Sequence, residues 1–241
     1  MQSENDRMTE MSMKITVFKR KGPKETVVRE SLADIAEAIR NGKHVDEVHH
    51  LRQYYHLMHP RRTEDGRMET NFDFKMTLPR LCFSAEIDKY RKEFRILNYN
   101  GLIVLEANNL ADYDEAIRIR NEVARLPQTM MVFLGASGRS VKIVCRGELL
   151  PDNGGGVPTT EEEIKKFHQL LYRTARKAYN AQLDITLDAP KPLIHRTIYI
   201  SADPDMRFRE QALPFYVDME EEAAPPSSTD LETVTKEHYL M

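Results

Sequence analysis

The sequence predicts an α+β fold built around a β-α-β-β-α-β run, and three observations carry that prediction. Between residues 101 and 200, short apolar runs alternate with longer stretches of helical spacing. Glycine, proline and a Thr-x-x-Glu signal fall where those elements should begin and end. The composition is globular, with 41% hydrophobic and 30% charged residues over 241 positions, enough for a sizeable core without covalent staples.

The N-terminal elements come first. Lys14 to Phe18 reads as a strand, followed by a basic turn over Lys19–Pro23. Ser31 is the N-cap of a helix whose stripe is Leu32, Ile35, Ala36 and Ile39, and Gly42 closes it. A second helix is predicted over 45–58, an exposed polar loop over 60–76, and a short apolar strand over 78–84.

The central elements follow. Gly101–Leu105 reads as a buried strand, and 111–126 as an amphipathic helix with Ile117, Ile119 and Val123 among its apolar positions, ended by Pro127. Thr129–Leu134 is the second strand, and a turn over 135–140 leads to a third at Val141–Cys145. After the glycine-rich loop 152–156, a capping box at Thr160 and Glu163 starts a long helix. Its stripe runs Ile164, Phe167, Leu170, Leu171, Ala175 and Ala178. Thr197–Ile200 supplies the fourth strand. This is the split β-α-β order of RRM and ferredoxin-like folds, and it leaves function open.

Composition narrows the class. Cys82 and Cys145 lie inside apolar runs and read as small core residues. No apolar stretch reaches the ~18 residues of a membrane span, and the polar N-terminus lacks a secretion segment, so no membrane association and a cytoplasmic location are expected. The net charge of −3 is uneven. Residues 218–241 hold seven acidic residues and one lysine, leaving 34 basic against 31 acidic residues, or +3, for 1–217. The acidic end therefore reads as a solvated tail.

Several polar residues are candidates for chemistry. In such a sheet the first and third strands are central neighbours, so residues at their ends converge. Glu106 and Asn108 follow the first strand and, by alternation, share a side. Ser137, Arg139, Ser140 and Lys142 surround the start of the third, and Asp184, Asp188, His195 and Arg196 come after the long helix. Carboxylates, an amide and a lysine on one sheet suit a divalent cation and a phosphate. Strand-end polar groups facing water are the alternative. Two further features are discounted. His44, His49, His50, His56 and His59 have no cysteines beside them and match no closed zinc spacing. Gly154–Gly156 lacks the Gly-Lys-Ser/Thr of a phosphate loop and reads as a flexible connection.

Ordered short motifs over about 14–217 resemble the VirE N-terminal domain family of bacterial mobile elements. They are SLADIAEAIRNGKH (31–44) with LPRLCFSAEI (78–87), NYNGLIVLEANNL (98–110), and GASGRSVKIVCRG (135–147) with LDITLDAPKPLIHRTIYISADPD (183–205). That family is related to the archaeo-eukaryotic primases and primase-polymerases, which implies a primase-polymerase-like domain with a sheet-based, two-metal nucleotidyl-transfer site. The resemblance implies a catalytic set of Glu106, Asn108 and Asp184, with Glu106 and Asp184 as ligands for Mg or Mn. It further implies nucleotide binding by Ser137, Gly138, Arg139, Lys142 and Arg196. Ser201, Asp203 and Asp205 match a closing motif read as structural.

The chain departs from the pattern where the family usually carries two aspartates one residue apart, since it has Glu106 and Asn108. Two-metal catalysis needs carboxylates to neutralise paired cations, and magnesium prefers anionic oxygen ligands in octahedral geometry. Asn108 offers only a neutral carbonyl, so metal binding is expected to be weak or lost. The resulting reading has residues 1–13 as a disordered N-terminus and 14–217 as one domain (14–100 an N-terminal α/β unit, 101–217 an RRM-like unit). Residues 218–241 form an acidic disordered tail. The expected function is nucleic-acid or nucleotide binding in replication or mobilisation of a mobile element, with degraded nucleotidyltransferase activity. DNA or RNA, a nucleoside triphosphate and a separate helicase-like protein are the expected partners. An active primase-polymerase using Glu106 and Asp184, and a protein-interaction domain without nucleic-acid binding, are the alternatives.

Overall fold

A computed structural model describes residues 13–21, 24–57, 61–62, 68–69, 78–90, 93–183 and 185–220. The predicted strand at Lys14 continues through the basic segment expected to turn. β1 (Lys14–Lys21) pairs antiparallel with β2 (Lys24–Ser31), Lys14 opposite Ser31 and Lys21 opposite Lys24. Ser31 then caps α1 (Leu32–Arg40), its hydroxyl accepting from the Asp34 N–H at 3.1 Å. The stripe Leu32, Ile35, Ala36 and Ile39 is buried as its spacing requires. α2 (Val45–Leu57) follows and buries Val48 and Leu51. Within the segment read as a loop, β3 (Arg61–Arg62) and β4 (Met68–Glu69) form a two-residue antiparallel pair.

The apolar run at 78–84 contributes β5 (Arg80–Cys82), and a hairpin of β6 (Ala85–Tyr90) and β7 (Glu93–Tyr99) follows it. The central run then unfolds as β8 (Leu102–Ala107), α3 (Tyr113–Val123), β9 (Met131–Leu134), β10 (Val141–Leu149) and α4 (Glu161–Leu183). Asp112 caps α3 by accepting from the Glu115 N–H at 2.8 Å. The Thr160 capping box sits before α4, with Thr160 donating to the Glu163 carboxylate at 2.6 Å. Three short strands follow among the described residues: β11 (Ile198–Tyr199), β12 (Arg207–Phe208) and β13 (Phe215–Val217).

β10 lies between β8 and β9, antiparallel to both, which is the first-third-second order expected. β12 extends this sheet beyond β9, and β13 runs parallel to the far end of β10. The fourth strand does not join it. β11 pairs with β5 instead, in a second sheet of order β11-β5-β1-β2. Ile198 sits opposite Leu81 there, and its burial draws the strand to the N-terminal unit.

Strand alternation gives the central sheet two buried faces. Ile103, Leu105, Val132, Leu134, Ile143 and Cys145 pack on α3 and α4 in one core. Leu102, Met131, Phe133 and Val144 face the other way, packing with Ile15, Leu81, Ile198 and the α1 stripe in a second. A face that RRM-type sheets leave open is thus sealed by the N-terminal unit. Cys82 and Cys145 are buried free thiols, as their neighbours predict, Cys145 in the first core and Cys82 in a small cluster with Phe18 and Ile87, and burial pushes the Cys82 thiol up to about 11.

The SADPD segment locks the layers together. Asp203 is 2% exposed and Arg120, on α3, 4% exposed; they pair at 2.6 Å. The second Asp203 oxygen accepts from the Leu134 N–H of β9 at 2.8 Å, while the Asp203 N–H donates to Ile39 O of α1 at 3.0 Å. One aspartate therefore ties a helix, a strand and the N-terminal unit. No helix among the described residues is long and apolar enough to cross a membrane. The expected tails lie outside the described residues, except for Met13 and 218–220.

Candidate functional site

The antiparallel register of β8 and β10 sets Lys142 directly opposite Glu106. Both point to the face shared with the N-terminal unit, at the end of the sheet where that packing gives way to a cleft of about 300 Å³. Glu106, Asn108, Ser137, Ser140, Lys142 and Arg196 line it, with Leu51, Thr197 and Tyr199.

Glu106 is the centre of the cluster. It is 5% exposed and Lys142 is 9% exposed. One Glu106 oxygen pairs with the Lys142 ammonium and accepts from Asn108 Nδ2 at 3.3 Å. The other accepts from Arg196 Nη2 at 2.7 Å and Nε at 3.1 Å. Burial alone would push this carboxyl up, but the Lys142 and Arg196 charges outweigh it and hold it at about 2. Lys142 also donates to Asn108 Oδ1 at 2.8 Å.

Asn108 Nδ2 additionally donates to the Asp188 carboxylate, which brings Asp188 into the cluster. Burial pushes the Asp188 carboxyl up, while the Asn108 hydrogen bond opposes the rise. α4 holds this segment in place. Tyr172 donates to Asp188 O at 3.1 Å, Arg176 to Leu187 O at 3.1 Å, and the Leu187 N–H to Asn180 Oδ1 at 2.9 Å. The Asp188 N–H donates to Glu106 O at 2.9 Å and closes the contact with β8.

The turn before β10 shapes the opposite wall. A Cβ at Gly135 would sit 2.1 Å from Ser140 Oγ and 3.1 Å from Lys142 Cε, so only glycine leaves room for both. Gly138 takes φ +74°, which its missing Cβ permits. Ser137 lines the cleft and accepts from the Arg139 N–H at 3.3 Å. The Arg139 guanidinium turns away, donating to Leu110 O at 2.8 Å and Ala111 O at 2.6 Å, where it braces the loop after β8. His195 likewise leaves the cluster and stacks on Phe94 at 5.0 Å. Asp184 lies outside the described residues.

Sequence reasoning missed Arg52. From α2 it donates to Ala202 O at 2.9 Å and lies over the Tyr113 ring at 5.9 Å, behind the Ser137–Gly138 turn. Burial lowers its pKa, and its Nε is a buried nitrogen without a hydrogen-bond partner. The polar α2 sequence, VDEVHHLRQYYHL, gave no signal for it.

A pair of dications needs carboxylate lone pairs free to face them. Here both Glu106 oxygens are engaged by cationic and amide donors, and the Asn108 amide turns its NH₂ to Glu106 and Asp188. The described donor set does not fit two metal ions. No group of three or more His, Cys, Asp or Glu residues suited to a metal occurs among the described residues. What the cluster offers is N–H donors. Lys142 commits two of its three to Glu106 and Asn108, and Arg196 keeps Nη1 beyond the donors that reach Glu106.

A family model described as BT4734-like, N-terminal domain, matches residues 73–208, and that family is VirE-N-like. The match spans β5 through β12 and every described residue of the cluster. No curated protein and no solved structure matches the chain.

Proposed function

The chain belongs to the BT4734-like, N-terminal domain family, and on that premise we propose that it is a primase-polymerase-like module that binds nucleic acid or nucleotide. Its setting is the replication or mobilisation of a mobile element, and its nucleotidyl-transfer chemistry is degraded. What supports the reading is the clamp on Glu106. The position where metal chemistry would need an open carboxylate holds one already neutralised by Lys142 and Arg196. Their remaining N–H groups, with the Ser137 and Ser140 hydroxyls, suit phosphate oxygens. Mg or Mn binding is then weak or lost. DNA or RNA and a nucleoside triphosphate are the proposed ligands, and a separate helicase-like protein the proposed partner.

Calorimetry on the full chain tests this, using a nucleoside triphosphate in EDTA and again in manganese. Binding should persist in EDTA and weaken at least tenfold in Arg196→Ala. Single-stranded DNA binding should fall steeply with salt, because phosphate contacts release counterions. Binding of neither ligand at low salt would make this a protein-interaction domain. Manganese-dependent primer extension abolished by Glu106→Ala would make it a working polymerase.

A further inference from the structure

The charges inside the cluster cancel. Two carboxylates, Glu106 and Asp188, stand against two cations, Lys142 and Arg196, all joined through Glu106 and Asn108. The cluster therefore offers an anion N–H donors without a surplus of positive charge.

An unbalanced charge lies just behind the wall. Arg52 follows Leu51, which lines the cleft, on α2. Its Nη2 donates to Ala202 O at 2.9 Å, with Gly135 O at 3.4 Å and Ser201 Oγ at 3.5 Å, and all three acceptors are neutral. No carboxylate pairs with this guanidinium among the described residues, and Asp203, the acid whose field reaches it, is paired with Arg120. Arg52 Nε is buried without a hydrogen-bond partner among the described residues, so part of the guanidinium faces no compensating dipole.

The turn before β10 brings that charge close. Gly135 meets Arg52 through its carbonyl, and a Cβ at Gly138 would stand 3.4 Å from Arg52 Cδ and Nε. Ala136 and Ser137, between the two glycines, line the cleft. The charge and the cleft thus lie on opposite sides of one tight turn, closed by the Gly138 N–H donating to Gly135 O at 2.9 Å. A half-buried charge is screened far less than an exposed one, so the field of Arg52 extends through the turn. Arg139, on the same loop, has its guanidinium turned to Leu110 O and Ala111 O, away from the cluster.

We propose that Arg52, without touching the ligand, supplies the net positive charge of the cleft through the Gly135–Gly138 turn and makes its affinity for an anion rise with the anion's charge. This rests on the phosphate-binding reading above. It adds a residue of the N-terminal unit that lies outside the cleft wall and acts by its field.

The test is calorimetry in EDTA with inorganic tripolyphosphate and orthophosphate, on the full chain and on Arg52→Gln, Arg52→Met and Arg52→Lys, with thermal melts alongside. Two neutral variants keep a measurement available if one fails to fold. Each should weaken tripolyphosphate about tenfold and the less charged orthophosphate about threefold, because the loss scales with ligand charge. Arg52→Lys, which keeps the charge and loses the guanidinium geometry, should stay within about twofold of wild type for both anions. Neutral variants that bind like wild type would overturn the proposal. A loss in Arg52→Lys as large as in Arg52→Gln, or an equal loss for the two anions, would overturn it too, because Arg52 would then act by holding the turn. Binding of neither anion by the wild type would remove the phosphate site itself, and this inference with it.

Discussion

Asp203→Ala should unfold the connection between the two halves of the molecule, and its effect can be worked from the contacts. The substitution takes the 2.6 Å partner from the buried Arg120 guanidinium, leaving it Asp205 at 3.5 Å and the Asn121 Oδ1, and leaves the Leu134 N–H, on a strand with no exposure, without this acceptor. Breaking a buried ion pair from one side costs ~3–5 kcal/mol, and an orphaned buried N–H adds ~1–3 kcal/mol. The total, about 4–6 kcal/mol after allowing for relaxation, is a large share of the ~5–15 kcal/mol of a typical domain. In a chain of this size it corresponds to a fall in Tm of about 10–20 °C. Asp203→Asn provides a second measurement, because its Oδ1 can still accept from Leu134. That variant should lose about 2–3 kcal/mol. Urea unfolding followed by circular dichroism, with differential scanning fluorimetry, reads both. If both variants lie within about 1 kcal/mol of wild type, the lock is not structural and the reasoning fails. A loss of ligand binding at unchanged Tm would instead move Asp203 into the cleft's chemistry.

Three further outcomes follow from particular contacts. The Glu106 carboxyl lies below its ordinary value of 4.5, at about 2, so its contribution is complete above pH 4.5 and is lost as pH falls toward 2. A stability–pH profile of Glu106→Gln should lack roughly 3 kcal/mol of that acid loss. Burial holds His168, beside the Tyr99 hydroxyl, at about 4 against 6.5. Its neutral form stabilises fully above pH 6.5 and less as pH drops to 4, so His168→Gln should flatten the profile across that window. A Cβ at Gly147 would meet Leu171 Cδ1 at 2.5 Å, so Gly147→Ala should cost ~1–3 kcal/mol in urea unfolding. Leu171→Val in the same chain should recover part of it.

Much of the architecture was readable because local signals agreed with burial. Ser31 and its stripe defined α1, Thr160 and Glu163 defined the start of α4, and the apolar runs of β8, β9 and β10 defined the central sheet. β2, KETVVRES, was unreadable because it is an edge strand with only two adjacent valines to mark it. The charged hairpin β6–β7 hid for a similar reason, since most of β7 faces solvent. β11 is two residues long, and its place depends on pairing with a strand more than a hundred residues earlier. At the site, Glu106, Asn108, Lys142 and Arg196 were legible as residues. The clamp they form was not, because it depends on the register between β8 and β10, strands separated in sequence by a helix and another strand. Asp188 was visible only as one acid among several. Arg139 and His195 turn out of the cluster, and a basic residue near a turn or after a helix carries no local signal of which way its side chain goes.

The sealed second face of the central sheet has a practical consequence. A fragment beginning at Gly101 would contain the whole β8-α3-β9-β10-α4 unit, yet severing it would bare Leu102, Met131, Phe133 and Val144, which Ile15, Leu81 and the α1 stripe otherwise cover. An apolar surface of that kind promotes self-association. The cut would also remove Leu51 from the wall of the cleft and β5 from beside Tyr199. The two halves are therefore inseparable as reagents, and any minimal version of this protein has to begin before Lys14.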